Sequence, residues 1–254
     1  MKTLLAPGTP AALAQMLCVA RARGERVDPA LLHPLAHGGS YAVQDATLAM
    51  IGPIGGWKVG ARGPGQEPAC APLPAAGLLP DGVALRGPAW RLRGIEVEVA
   101  FVLGASLPPR GRPYERRDIE AALALVVPAI EVVESRLEDW LGAGSDAQLA
   151  DLLSHGALVT GRPTPFAREW LHLGALEATL RFGRRTVAHT VGGHQSPDVG
   201  ALLVWLANHC AARGAGLKAG QVVTTGTCTG LLFASAGTRV SAGIEGLGTL
   251  AAWF

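Results

Sequence analysis

Charge is sparse in this 254-residue chain and nearly balanced: 17% of residues are Asp, Glu, Lys or Arg, and the formal net charge is +2. So small an imbalance gives no electrostatic footprint for nucleic acid or for an anionic membrane surface. The basic residues are scattered, with Arg116-Arg117 and Arg184-Arg185 as short pairs and no aromatic-interleaved stripe, so surface solvation or ion pairing accounts for them. Four cysteines, at 18, 70, 210 and 228, include no CxxC pair. That excludes a disulfide scaffold and leaves small buried apolar residues of a reduced, cytoplasmic protein. The seven histidines form no HExxH and no Cys/His set at zinc spacing. No apolar run free of charges and breakers reaches the length of a bilayer span. The opening MKTLLAPGTPAALAQ is broken at Pro7, Gly8 and Pro10 before a leader core can form. What the chain does have is 49% apolar residues, enough for a substantial core and too many for a disordered chain.

The spacing predicts a helix over residues 10–24, opened by Pro10 and closed by Gly24, and a second over 40–50 with Ser40 as N-cap. Residues 57–60 read as a short strand, and the Gly/Pro-rich stretch 62–77 as turns and exposed loop. Residues 90–103 read as a strand, followed by a Pro/Arg-rich loop. Asp118 would then cap a helix carrying Ile119, Ala122, Leu123 and Val126, which Pro128 would stop. Residues 129–134 are strand-like again, and 135–155 partly helical. A hairpin is expected at 176–182 and 186–189 around Gly183, a long helix at 198–213, and short glycine-bounded strands to the end. Few long helices, many short strands and no βαβ alternation favour an α+β fold with a curled, largely antiparallel sheet. No linker divides the chain: residues 1–55 form a helical section packed on a core of 56–254, one structural domain overall.

The stretch GIEVEVAFVLG, residues 94–104, organises the rest. Glu96 and Glu98 alternate with Val97, Val99 and Phe101, so both carboxylates leave one face of a strand in an apolar frame. Two like charges in that setting call for a positive partner. Glu131, in the strand-like AIEVVE, supplies a third carboxylate, and three such oxygens suit a hard cation such as Mg²⁺ or Mn²⁺. The alternative is that the glutamates face solvent or pair with Arg91 or Arg93. Lys58, in GWKVG, is a candidate acid/base whose partly apolar position would ease loss of its proton, or else a surface lysine. Asp151 and Arg136 are candidates for positioning substrate or for an internal ion pair. GTCTG around Cys228 has nucleophile-elbow spacing, but no histidine follows it. It also lacks a phosphate-loop ending, so what remains is a glycine turn whose backbone amides approach a bound ligand, or a plain structural turn. His194, in a glycine loop, reads as exposed or, alternatively, as lining a pocket.

SYAVQ (40–44), WKVG (57–60), EVEVAFVLG (96–104), VPAIEVVESRLEDW (127–140), VWLAN (204–208), LKAGQVVTTG (217–226) and GIEGLGTLAAWF (243–254) occur in an order that resembles the 2-keto-4-pentenoate hydratase/4-oxalocrotonate decarboxylase group of the fumarylacetoacetate hydrolase superfamily. The resemblance implies a mixed, rolled β-sheet core of the superfamily's C-terminal-domain type with peripheral helices, and a homo-oligomer. It implies Mg²⁺ or Mn²⁺ on Glu96, Glu98 and Glu131, Lys58 as acid/base with Asp151 as a second catalytic residue, and substrate contacts from Arg136, Thr225 and Gly226. The substrate would be a short 2-oxo or 2-hydroxydienoic acid. Relatives carry D-T-x-A-D-N where this chain has Ala147-Gln148-Leu149-Ala150-Asp151-Leu152, with Leu in place of Asn, and the 63–74 region also departs.

The expected activity is metal-dependent hydration of a 2-hydroxy-2,4-dienoate in the degradation of aromatic compounds. Alternatives on the same scaffold are a 2-oxo acid decarboxylase or a C–C bond hydrolase, the latter needing a water-activating group such as His37 or His155. A non-catalytic subunit partnering a related decarboxylase is a further alternative.

Overall fold

The computed structural model describes residues 6–32, 35, 37–61, 63, 65–196 and 198–254. The first residues of the leader-like stretch, Arg62 and Pro64 of the predicted loop, Pro197 and the side chain of His37 lie outside the described residues. Helix α1 (Pro10–Arg23) starts where Thr9 Oγ1 accepts the Ala12 amide at 3.3 Å, with Pro10 in its first turn. It ends at Gly24, in the left-handed region at φ 65°, where an added Cβ would lie 2.3 Å from the Pro88 carbonyl oxygen. Helix α2 (His37–Ile51) begins earlier than expected. Ser40 is therefore interior rather than a cap, and its buried hydroxyl donates to the Asp146 carbonyl at 2.9 Å. Leu13, Leu17 and Val43 of these helices pack with Leu137, Ala143 and Ala147 from the later chain.

The strands are, in chain order, β1 (Ile54–Gly60), β2 (Ala69–Pro74), β3 (Leu78–Pro80), β4 (Val83–Ala84), β5 (Gly94–Leu103), β6 (Leu123–Val133), β7 (His155–Thr160), β8 (Thr164–Pro165), β9 (Glu177–Phe182), β10 (Arg185–Val191), β11 (Val222–Thr227), β12 (Leu232–Phe233), β13 (Arg239–Ile244) and β14 (Gly248–Trp253). The remaining helices are α3 (Arg116–Ala122), α4 (Ser145–Ala150) and α5 (Val199–Ala212). The larger sheet runs β2-β1-β11-β5-β6-β7-β3, with β12 on β5 and β8 on β6; the smaller runs β10-β9-β13-β14-β4. Among the described strands β1/β11, β3/β7 and β4/β14 pair in parallel and the others antiparallel, which is the mixed α+β architecture expected. Val97, Val99, Phe101, Ile130 and Val132 from the larger sheet meet Leu180, Val240 and Leu250 from the smaller, and Leu202 and Leu206 of α5 join the same core.

Three local expectations are corrected. Residues 69–74 are not exposed loop: β2 is buried at Cys70, Ala71 and Leu73, and Pro72 and Pro74 are tolerated because β2 is an edge strand. Asp118 is not the cap of α3. Glu115 is, and Asp118, three residues on, takes the Glu115 amide at 2.9 Å in a reciprocal capping box. That helix stops at Ala122, and Pro128 lies inside central strand β6 instead of ending a helix. The Pro128 carbonyl accepts from Gly161 at 2.9 Å, just where β7 has ended and β8 has not begun, so the donor that proline lacks has no strand to meet. Pairing with β5 along the whole of β6 overrides the helical spacing of its first residues.

Candidate metal centre

β5 and β6 pair with Glu96 directly opposite Glu131 and Glu98 opposite Ala129. Opposed residues of an antiparallel pair share a face, so the register delivers three carboxylates to the side of the sheet away from the Val97–Val132 core. One oxygen from each lies within 4.8 Å of the others. Glu98 and Glu131 are only 2% and 1% exposed. Arg91 and Arg93 do not answer these charges: their guanidiniums bond to the carbonyls of Gly24, Trp90 and Ala234. The positive group present is Lys58 on β1, whose Nζ donates to Glu131 Oε1 at 2.5 Å and to the Leu153 carbonyl at 3.2 Å.

One ammonium cannot balance three carboxylates, two of them buried, and the cluster splits accordingly. Burial alone would raise Glu131, but Lys58 and His155 outweigh it and hold this carboxyl at about 2. Desolvation and the Glu131 charge push Glu96 up to about 7. Glu98 is pushed well above the carboxylate range by burial, Glu131 and Glu96, despite the Gly226 amide donating to its Oε2 at 3.2 Å. Glu131 Oε2 is buried without a hydrogen-bond partner among the described residues. An all-oxygen donor set, two carboxyls driven toward protonation and an unspent buried oxygen together fit a hard divalent cation.

With only protein charges present, Lys58 does not behave as the sequence suggested. Burial disfavours its ammonium, but Glu131, Glu96 and Glu98 outweigh that and raise its pKa above the ordinary lysine value. His155 is wholly buried, with Nδ1 3.5 Å from Glu131 Oε1, and desolvation lowers it to about 4, so it is neutral. Its position beside the cluster needed the fold; the His37 side chain is outside the described residues.

Arg136 and Asp151 form a closed internal ion pair. Asp151 Oδ1 takes Arg136 Nε at 2.5 Å, Oδ2 takes the Arg136 amide and Ser135 Oγ at 2.9 Å, and the Arg136 guanidinium also donates to the carbonyls of Glu134, Asp151 and His155. Both side chains are buried, at 3% and 2% exposure. Their geometry gives them a structural task. Leu152, Leu153 and Ser154 follow with φ of 52°, 50° and 59°, a left-handed run that costs side-chain-bearing residues on the order of 1–2 kcal/mol each. The Asp151 carbonyl takes the Ser154 amide at 3.0 Å and the Ser154 carbonyl takes the Glu134 amide at 2.8 Å. The pair thus anchors the strained turn that presents the Leu153 carbonyl to Lys58. Sequence reading had no signal for a left-handed run without glycine.

Thr225 and Gly226 arrive on β11, where the register with β5 slips between Thr224 and Thr227. Gly226 sits at φ 114°, which only glycine adopts readily, and this turns its amide to Glu98. Thr225 Oγ1 lies 3.5 Å from His194 Nε2. His194 is therefore packed against this turn, half-buried and lowered in pKa by desolvation, rather than a freely exposed loop residue. Cys228 is buried, and burial together with the Glu98 charge pushes its thiol up to about 12, which suits a structural residue and not a nucleophile.

The chain is 33% identical over 159 residues to 2-hydroxyhexa-2,4-dienoate hydratase of Comamonas testosteroni, a match covering 63% of this chain and 59% of that protein. It is 32% identical over 164 residues to 2-keto-4-pentenoate hydratase 1 of Dechloromonas aromatica (strain RCB), again covering 63% and 59%. The matched stretch thus spans about three fifths of the length of these curated relatives. In structure it is similar over 100% of both chains to 4-oxalocrotonate decarboxylase from Pseudomonas putida G7, with a TM-score of 0.85 at 23% identity for the form complexed with magnesium and adipate, and 0.84 at 24% for that with calcium and acetate. At those identities the likeness shows the fold. The family described as fumarylacetoacetate (FAA) hydrolase C-terminal matches residues 57–254, from the strand that carries Lys58 to the last residue, and the chain belongs to that family.

Proposed function

We propose that this chain is a divalent-metal-dependent lyase that adds water to a 2-hydroxy-2,4-dienoate of the 2-keto-4-pentenoate type, giving a 4-hydroxy-2-oxo acid in aromatic-compound degradation. The observation that carries the reading is the cluster of Glu96, Glu98 and Glu131 with Lys58 bonded to one of its members. The names of the relatives at about 30% identity support the substrate class. Glu96, Glu98 and Glu131 would hold Mg²⁺ or Mn²⁺, which supplies Lewis-acid stabilisation for negative charge on the 2-oxygen of a bound 2-oxo acid. Lys58 Nζ would move the proton that interconverts the dienol and its conjugated 2-oxo form, before water adds across the alkene. Neutralising the carboxylates removes the pull that keeps Lys58 protonated and leaves burial, which lowers a lysine, as the dominant influence on it. The Leu153 carbonyl and Glu131 hold Nζ in place, and the Gly226 amide orients Glu98. The protein would work in the cytoplasm as a homo-oligomer; among the described residues no helix is long and apolar enough to cross a membrane.

One observation favours a second reading, a 2-oxo acid decarboxylase of the 4-oxalocrotonate type. Asp151 is spent on Arg136 and Ser135, so it does not stand free to activate water. Decarboxylation needs an electron sink and a proton donor but no activated water. The purified chain, supplied with Mg²⁺ or Mn²⁺, is to be assayed with 2-hydroxypenta-2,4-dienoate and with 4-oxalocrotonate. Loss of dienol absorbance without CO₂ release supports the hydratase, CO₂ from 4-oxalocrotonate supports the decarboxylase, and turnover of neither refutes the catalytic reading.

A further inference from the structure

A cavity of about 350 Å³ lies between the end of α1 and the β3/β7 edge, and none of Lys58, Glu96, Glu98 or Glu131 lines it. Its volume is within the range of small-molecule sites, roughly 300–1,000 Å³. Ile51, Pro74, Leu79 and Trp90 give it apolar walls, into which three guanidiniums and one carboxylate are set. Those charges do not balance. Arg136 is closed on Asp151, and Arg26 on Glu134 at 2.5 Å. Glu134 is further satisfied by the amides of Arg91 and Leu92, at 2.8 and 2.9 Å. Arg21 is the cation left over. Its guanidinium donates to the carbonyls of His155 at 2.6 Å and Gly156 at 3.4 Å, two of its five N–H groups, and forms no ion pair with a carboxylate among the described residues. Burial and the Arg136 charge press its pKa down to about 9, and Asp151 and Glu134 act on it too weakly to reverse this.

A desolvated guanidinium on the wall of an apolar cavity is best matched by a carboxylate that brings its own apolar body, because the guanidinium fork binds a carboxylate through two parallel bonds. A single unbalanced charge selects a monoanion over a phosphate ester or a dianion. We propose that this cavity is a second ligand site, taking a small monocarboxylate with an apolar chain, and that Arg21 anchors the carboxylate. The site goes beyond the lyase reading and does not depend on it.

The probe is hexanoate, titrated into the metal-loaded chain by calorimetry and tryptophan fluorescence, with hexanol as the uncharged control. Hexanoate is expected to saturate one site per chain and bind at least tenfold more tightly than hexanol. Its fluorescence change should vanish in Trp90→Phe. Arg21→Met should weaken it at least tenfold, whereas Glu98→Gln, which disturbs the glutamate cluster, should leave it intact. Ala76→Trp narrows the cavity while keeping Arg21, and should abolish binding even if Arg21→Met fails to fold. Failure of hexanoate to bind, equal binding of hexanol, or binding that survives Ala76→Trp would overturn the proposal. Loss on Glu98→Gln alone would place the acid at the glutamate cluster and overturn it as well. None of these results bears on turnover, so the two readings fail separately.

Discussion

Glu96→Gln should stabilise the chain in the absence of divalent cations, the reverse of what replacing a useful buried charge does. Glu96 is raised from 4.5 to about 7 by burial and by Glu131. A carboxyl whose pKa is higher in the folded than in the unfolded chain contributes its full stability below about pH 4.5 and loses it as pH rises through about 7. At about 1.4 kcal/mol per pH unit, the loss is on the order of 3 kcal/mol by pH 8. Glutamine fills the same space and cannot ionise. At pH 8 in EDTA, Glu96→Gln should therefore unfold above the parent by up to about 3 kcal/mol, or roughly 6–12 °C for a chain of this size. At pH 5 the two should nearly coincide. Adding Mg²⁺ should lift the parent and leave the variant almost unmoved, since the variant has lost a ligand. Thermal unfolding followed by circular dichroism at both pH values, with chelator and with Mg²⁺, makes the comparison. A variant less stable than the parent at pH 8 in EDTA would refute the charge-repulsion argument.

Lys58→Met removes a cation that competes for Glu131, so calorimetry should show tighter Mg²⁺ binding, while turnover falls roughly a hundred- to ten-thousand-fold. Asp151→Ala leaves Arg136 buried and unpaired, and urea denaturation should show a loss of about 3–5 kcal/mol, as for other broken buried pairs. Gly226→Ala meets no crowding from its neighbours but must hold φ 114°, so it should lose about 1–3 kcal/mol and also weaken Mg²⁺ binding, because the amide that orients Glu98 would shift.

The glutamate strand was legible in sequence because its information is local: alternation over ten residues fixes which face the carboxylates share. That Glu131 lies directly opposite Glu96 is a property of strand register, and sequence supplied it only as a third carboxylate in a similar frame. The helices at α1 and α5 were legible through their ends, Pro10 to Gly24 and Asp198 onward. The mistakes fall where tertiary pairing overrules local preference. Pro128 reads as a helix stop until the gap between β7 and β8 gives it a place in a strand, and Pro72 and Pro74 read as loop until the edge of the sheet accommodates them. Arg136 and Asp151 read in sequence as substrate-positioning groups or an internal ion pair, and only the fold shows that the pair also braces the turn at Leu153. The same closure, with Arg26 on Glu134, is what leaves Arg21 unbalanced beside the cavity.

The central claim is that Glu96, Glu98 and Glu131 form one divalent-cation site. Titration of Mn²⁺ into the purified chain, with free ion measured by electron paramagnetic resonance, tests it without any assumption about substrate. The account predicts one saturable site per chain, weakened at least tenfold by Glu96→Ala and by Glu131→Ala. Mn²⁺ binding of unchanged affinity in both variants would contradict it.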